Sequence, residues 1–304
     1  METKIIGIDN GYGFTKTAHT SFATSLKQYL TAKPALMDNV VEYKGQFYGI
    51  GGDRLKVRSD KTVDNLTYII TLAGIAEELK RVHLQEAEVI LAVGLPLERC
   101  GVGKDAFIEY FKQDGDIHFS YEEKEYHVVI KDVLVFPQGY AAIVEDINSH
   151  RIADNTVLVD IGSWTIDILP INNGRPDINH CLSLNDGVIN CMLSANEEVR
   201  KNFGSEVLES QIQSLMMGNK NVLPAKYEDL ISRKIRDYIE NVAATLREYK
   251  FNIDTLSFIF VGGGACIVKN FGVDLFPSAR VETDIHINAI GYECLAKTYY
   301  ANRK

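Results

Sequence analysis

The 304-residue sequence predicts an α/β protein of two similar domains, and three observations carry that reading. First, an apolar run turning through Asp-x-Gly occurs twice. One copy is Ile5-Ile6-Gly7-Ile8-Asp9-Asn10-Gly11-Tyr12-Gly13-Phe14-Thr15-Lys16; the other is Val157-Leu158-Val159-Asp160-Ile161-Gly162-Ser163-Trp164-Thr165-Ile166-Asp167. Each is a hairpin signal, and their aspartates stand 151 residues apart, as two similar domains facing one ligand would place them. Second, short β-branched strands alternate with helical patterns along the rest of the chain. Third, 46% apolar and 24% charged residues describe an ordinary globular composition, long enough for two medium-sized cores.

In order, residues 4–9 and 12–18 form the first hairpin. Residues 43–50 form another around Lys44-Gly45-Gln46, and Gly51-Gly52-Asp53 breaks the pattern. Asp64 can cap a helix over 65–81, where Leu66, Ile69, Ile70, Ala73, Ala76 and Leu79 recur at helical spacing. A strand at 89–93, a helix at 104–111, a hairpin at 119–130 and a strand at 133–136 follow. Pro137-Gln138-Gly139 then opens a helix over 140–147. Polar residues 148–155 lead into the second half, which begins with the second Asp-x-Gly hairpin and an Asn172-Asn173-Gly174 turn. Helices are expected at 188–202, 205–217 and 227–249, the last with the clearest apolar stripe. A buried strand at 257–261 runs into Gly262-Gly263-Gly264-Ala265, and a final helix covers 287–300. The domains are accordingly 1–150 and 151–288, each a mixed five-stranded sheet. The end of the chain, 289–304, packs back on the first, and small subdomains lie within 17–88 and about 188–250.

Net charge is −9, from 41 acidic and 32 basic residues, which argues against a surface built for broad phosphate-backbone binding. Cys100, Cys181, Cys191, Cys266 and Cys294 form no C-x-x-C pair and read as reduced, small core residues. The N-terminus enters a strand at once, without a secretory signal, and the apolar runs are too short to span a bilayer. A cytoplasmic protein is expected. The seven histidines show no metal-ligand spacing, and solvated or packed roles are favoured for them.

The chemistry sits in the glycine-rich turns. Gly11 and Gly13 let backbone amides approach anionic oxygens without a Cβ in the way. Lys16 supplies a point positive charge. Asp9 would repel phosphate directly; its natural role is to hold hydrated Mg2+, and Asp160 is its counterpart in the second hairpin. Either hairpin alone is better read as an ordinary Asx turn, but the two together are not. Gly262-Gly263-Gly264 after a buried strand could let a flat base and ribose lie on backbone, or be a flexible turn. It is not G-x-G-x-x-G, and no G-x-x-x-x-G-K-[ST] occurs, which removes the dinucleotide fingerprint and the P-loop. Trp164 reads as packing, Ser163 lacks a nucleophile motif, and Glu122-Glu123-Lys124-Glu125 reads as a solvated hairpin tip.

The ordered set Asp9-x-Gly11…Lys16, Pro137-Gln138-Gly139, Asp160-x-Gly162-Ser163-x-Thr165, Gly262-Gly263-Gly264-Ala265 and Asn288-Ala289-x-Gly291 resembles the actin, heat-shock chaperone and sugar kinase superfamily over the whole chain. There these segments are the first phosphate loop, first connecting helix, second phosphate loop, adenosine loop and second connecting helix. The resemblance implies an actin-like fold: two duplicated ribonuclease H-like domains with a nucleotide cleft between them. Val93-Gly94-Leu95-Pro96-Leu97 looks like the strand end of bacterial ParM/StbA-type plasmid-segregation proteins.

From that resemblance follow ATP, or GTP in its place, and Mg2+ as ligands. Asp9, Asn10, Gly11, Tyr12, Gly13 and Lys16 would line the phosphates from one side, and Asp160, Gly162 and Ser163 from the other. Asp186 and Gly187 would lie near the ribose, and Gly262, Gly263 and Gly264 at the adenosine. Gln138 would orient the attacking water, with Asp9 and Asp160 as metal carboxylates; a neutral amide is a poor base, so slow hydrolysis is implied. ParM-type proteins often carry Glu where this chain has Gln138, and actin carries Gln.

The function so implied is a filament-forming ATPase that assembles head-to-tail with itself. It would segregate plasmid DNA through a DNA-binding adaptor, without direct nucleic-acid or membrane contact. The alternative is a small-molecule kinase of the same superfamily, for which no substrate motif is visible. A chaperone would need a peptide-binding domain, and a cell-shape filament an amphipathic terminus.

Overall fold

The computed structural model describes residues 1–29, 33–54, 65–101, 103–149 and 151–303. By internal contacts the chain divides into two units: unit 1 is Met1–Glu145 with His286–Lys304, and unit 2 is Asp146–Ile285. Among the described residues, no helix is long and apolar enough to cross a membrane.

Unit 1 opens with β1 (Glu2–Asn10), β2 (Phe14–Thr17), β3 (Ser21–Ala23) and β4 (Ser25–Gln28). Next come β5 (Val40–Tyr43), β6 (Gln46–Arg54), α1 (Leu66–Arg81), β7 (Glu86–Leu95), α2 (Leu97–Cys100) and α3 (Lys104–Lys112). It closes with β8 (Ile117–Tyr121), β9 (Lys124–Pro137), a 3-10 turn (Tyr140–Ile143) and the start of α4 (Val144–Asn148). Its described strands form a nine-stranded sheet, β3-β2-β1-β7-β9-β8-β5-β6-β4. Only β1–β7 and β7–β9 are parallel pairs. β1 and β7 end in stretches buried on both faces, so they read as continuous apolar runs, whereas β9 alternates. Each such side chain removed from water stabilises by about 1.5–3 kcal/mol. Helix α1 packs on β1 and β2 and is buried on nearly every side, its polar Thr71 and Glu78 included.

Unit 2 holds β10 (Asn155–Ile161), β11 (Ile166–Asn172), β12 (Arg175–Pro176), a 3-10 turn (Ile178–His180) and β13 (Leu182–Leu184). Helices α5 (Val188–Phe203), α6 (Glu209–Met216) and α7 (Ala225–Glu248) follow, then β14 (Ser257–Val261), α8 (Ala265–Phe271) and β15 (Arg280–Val281). The sheet runs β12-β11-β10-β14-β15, with β13 also pairing β11. The last helix, α9 (Ile287–Ala301), returns to unit 1, where Tyr292 and Ala296 are fully buried with Ala92 and Ala141.

Both sheets contain the same nucleus. An antiparallel hairpin supplies the first two strands, the third pairs the second, a later strand joins the first in parallel, and one more joins that strand in parallel. In unit 1 that is β3-β2-β1-β7-β9; in unit 2, β12-β11-β10-β14-β15. The α/β class and the duplication expected from the sequence are both present.

The details differ from expectation in physical ways. The five-stranded nucleus of unit 1 is extended to nine described strands by β8, β5, β6 and β4. The segments expected at 119–130 and 133–136 are one hairpin arm and its continuation: β9 runs through both, and a register shift at Ile130/Asp132 absorbs Lys131. Gly51-Gly52-Asp53 does not end the strand. Pairing slips from Leu26↔Ile50 to Ser25↔Arg54, so the three residues form a bulge in β6. The helix expected at 205–217 is only Glu209–Met216, because α5 ends on Gly204 in the left-handed region and the chain stays extended through Leu208. Asp64, expected to cap α1, lies outside the described residues.

Candidate functional site

The candidate residues collect at the carboxyl ends of the parallel strands in each unit, where open α/β sheets bind ligands. In unit 1, β1 ends at Asp9-Asn10 and turns through Gly11-Tyr12-Gly13 into β2. The antiparallel register sets Asp9 directly across from Lys16. Buried Asp9 accepts a hydrogen bond from Gln138 Nε2 on Oδ1 (3.1 Å) and pairs with Lys16 Nζ through Oδ2 (3.4 Å). The structure therefore brings together the expected metal carboxylate, lysine and water-orienting amide.

The loop is anchored from below. Asn10 Nδ2 donates to Thr71 Oγ1 on α1 (3.2 Å), and Thr24 Oγ1 donates to the Gly11 carbonyl (2.7 Å). The Thr24 amide donates to the Gly13 carbonyl (2.9 Å). Thr71 and Thr24 were not evident from the sequence, since each acts through a contact distant in the chain.

Gln138 is placed by backbone. Its amide donates to the Leu95 carbonyl at the end of β7 (2.8 Å), and the Tyr140 amide donates back to the Gln138 carbonyl (2.8 Å). Between them Gly139 has φ 71° and ψ −55°, the positive-φ γ-turn, a rare and strained conformation that glycine adopts most readily. The Gly139 amide is held by Asn288 Oδ1 of α9 (3.0 Å). Asn288, in the segment likened to the second connecting helix, thus fixes the turn that carries Gln138.

Unit 2 repeats the plan. β10 ends at Asp160-Ile161, and Gly162 to Thr165 turn into β11, closed by the Gly162 amide donating to the Thr165 carbonyl (2.8 Å). Asp160 lies directly across from Asp167, the same seven-residue offset that sets Asp9 across from Lys16. Asp167 accepts from Thr165 Oγ1 (3.1 Å). The sequence reading left Asp167 out; the hairpin register would have found it.

Gly162 and Ser163 also receive α5: their carbonyls accept from the amides of Val188 (3.1 Å) and Ile189 (2.9 Å). Gly187 sits against this turn so closely that a Cβ would lie 2.5 Å from Ser163 and Trp164 backbone atoms. Asp186 accepts from Asn190 Nδ2 on its carboxylate (3.4 Å) and from the Tyr238 hydroxyl on its carbonyl (2.8 Å). Gly262, at φ 85°, brings the third turn against the second: a Cβ there would lie 2.2 Å from Asp160 Oδ1. The Gly264 amide donates to the Ile161 carbonyl (2.9 Å), whereas a Cβ on Gly263 would meet open space. Trp164 packs against the unit 2 core, its buried Nε1 without a partner.

No disulfide joins the cysteines. Cys191 is buried, and burial, aided by Asp186, pushes its thiol up to about 12. The other four are partly exposed, so the small-core reading fits Cys191 best. Burial also raises the Cys266 thiol, which donates to the Gly263 carbonyl (3.3 Å).

Two such nuclei, each ending its first strand on an aspartate beside a glycine turn, define a two-unit protein of the duplicated ribonuclease H-like class. A family model described as the N-terminal domain of actin-like proteins matches residues 7–140. One described as the C-terminal domain of archaeal MreB-like actin homologues matches residues 158–271. Each unit of the chain thus matches a domain of actin-like proteins. No curated protein matches the sequence. Among solved structures, the archaeal actin homologue Ta0583 in complex with ADP is similar at 20% identity and a TM-score of 0.74, covering 97% of this chain and 99% of that one. ParM from Bacillus thuringiensis with ATP is 14% identical with a TM-score of 0.73, over 99% of this chain and 100% of that one. The Alp12 filament structure is 17% identical with a TM-score of 0.67, over 99% and 100%.

Proposed function

We propose that this chain binds ATP, or GTP in its place, together with Mg2+, hydrolyses it slowly and assembles head-to-tail into filaments. On this reading it works in the cytoplasm and segregates plasmid DNA through a DNA-binding adaptor. The observation that carries the reading is the duplicated hairpin, with Asp9 and Asp160 at matching ends of the first parallel strand of each unit. It is supported by likeness to structures described as an ADP complex, an ATP complex and a filament.

The residues fit the proposed ligands. Gly187 and Gly262 let the turns of unit 2 pack directly on one another, since a Cβ at either would strike its neighbour, and Gly263 beside them faces open space. The donors are oxygens, as Mg2+ demands. Asp160 and Asp167, directly across from each other, would repel without a cation nearby.

Asp9 and Asp160 would hold Mg2+ through water, and when bound the ion would neutralise charge developing on phosphoryl oxygens. Lys16 would share its charge between Asp9 and phosphate. The amides of residues 11–13 and 162–163 would line the phosphates, residues 186–187 the ribose, and residues 262–264 the base. Gln138 donates its Nε2 to Asp9, which leaves Oε1 as the end suited to accept from the attacking water. An amide positions water but accepts no proton from it, hence slow turnover.

Right-angle light scattering on the purified protein tests the reading, with Mg-ATP, Mg-GTP, Mg-ADP or no nucleotide and microscopy of the products. A triphosphate-dependent rise with visible filaments is expected. No rise at any concentration, with hydrolysis stimulated by a small metabolite, would favour the kinase alternative.

A further inference from the structure

His118 and His127 are nine residues apart, a spacing without meaning for a metal site in sequence. In the β8–β9 hairpin they are direct cross-strand partners, which puts both imidazoles on one face. Their rings stack with centroids 4.2 Å apart and planes 15° apart. Asp116, just before β8, completes the group: its Oδ1 is hydrogen-bonded to His127 Nε2 and lies 3.7 Å from His118 Nε2. The three ligand atoms all lie within 4.8 Å of one another.

The geometry points to a binding site for a borderline transition-metal ion of the Zn2+ class, formed by Asp116, His118 and His127. Around a tetrahedral ion with bonds of about 2.0 Å, neighbouring ligand atoms stand roughly 3.3 Å apart. The carboxylate oxygen is now closer than that to one imidazole and slightly farther from the other, so small side-chain rotations and a tilt of the stacked rings admit the ion.

A plain hydrogen bond between Asp116 and His127 would not account for His118, whose Nε2 converges on the same oxygen. The pair His180–Asp177 shows the plain case: one imidazole, one carboxylate, 2.8 Å, and no third ligand among the described residues. Two imidazoles and one carboxylate suit Zn2+, Ni2+ or Cu2+, whereas Mg2+ requires an octahedron of oxygens. This site is therefore chemically distinct from the one proposed at Asp9 and Asp160.

Access favours binding from solution. His118 and Asp116 side chains are 67% and 64% exposed, while His127 at 26% is steadied by its neighbours. Three protein ligands leave a fourth position for water or for a side chain of another molecule.

Calorimetric titration of the full chain with Zn2+, in saturating Mg2+, tests the site. One equivalent should bind, and His118→Ala, His127→Ala and Asp116→Asn should each weaken it by at least roughly 10-fold, the lower end of what losing an outer-shell partner costs. His118→Gln keeps the side chain's bulk while removing a good ligand, and should behave like His118→Ala. His180→Ala should leave binding unchanged. Wild-type protein that takes up no Zn2+, or unaltered affinity in the His118 and His127 variants, would overturn the assignment.

Discussion

Asp9 is closely held: buried, it receives a lysine on one carboxylate oxygen and an amide on the other. Its neighbours make separable predictions. Gln138→Ala should slow hydrolysis by about 10²-fold, the order of loss expected when a reacting water is no longer positioned, while sparing nucleotide binding. Phosphate release at the wild-type rate would remove Gln138 from the water site. Lys16→Ala should weaken triphosphate affinity by roughly 10-fold or more, equivalent to 1.4 kcal/mol, and should lower Tm by leaving the Asp9 charge without its lysine. Unaltered affinity by calorimetry would show that Lys16 serves only Asp9. Much at this scale was legible in the sequence, because Asp9, Gly11, Lys16 and Gln138 stand in or beside recognisable turns. Thr24, Thr71 and Asp167 were not, because each enters through register or through packing from another element.

Helix α9 is held at both ends of its packing face. Near its start Asn288 grips the Gly139 turn; near its end the Tyr300 hydroxyl donates to Asp132 Oδ2 on β9 (2.7 Å). Lys112 of α3 donates to the other oxygen (3.0 Å). Burial raises the Asp132 carboxyl, but these hydrogen bonds outweigh it and hold the group below the ordinary carboxylate range. A depressed folded value means that the stabilisation is present above the unfolded value and is lost as pH falls through the folded one. Acid unfolding followed by circular dichroism should therefore be less steep in Asp132→Asn, which is also slightly less stable at neutral pH. An acid limb identical to wild type would show that Asp132 adds nothing. Elements with strong periodicity or buried apolar runs, such as α7, β7 and β10, were visible in sequence. The three-residue strands β3 and β13 were not, because so short a run carries no period.

At the scale of the molecule, the paired aspartates are predicted to act together. Asp160→Ala should abolish the Mg-triphosphate-dependent rise in light scattering and reduce ATPase activity. Normal filaments and full turnover in that variant would refute the metal role. The sequence displayed the duplication through two turns but gave no view of the strands that enlarge the first sheet, since their pairing joins segments far apart in the chain. That first unit is also discontinuous: its core needs Tyr292 and Ala296, which follow all of unit 2 in the chain. During synthesis at roughly 5–20 residues per second, unit 2 therefore emerges complete while unit 1 waits on the order of 10 s for its last helix. A nascent chain released early would lack a finished first unit, with the Gly139 turn missing its Asn288 clasp. On the proposed reading, only chains that carry α9 would then be competent to join a filament, so translation itself would act as a proofreader of assembly.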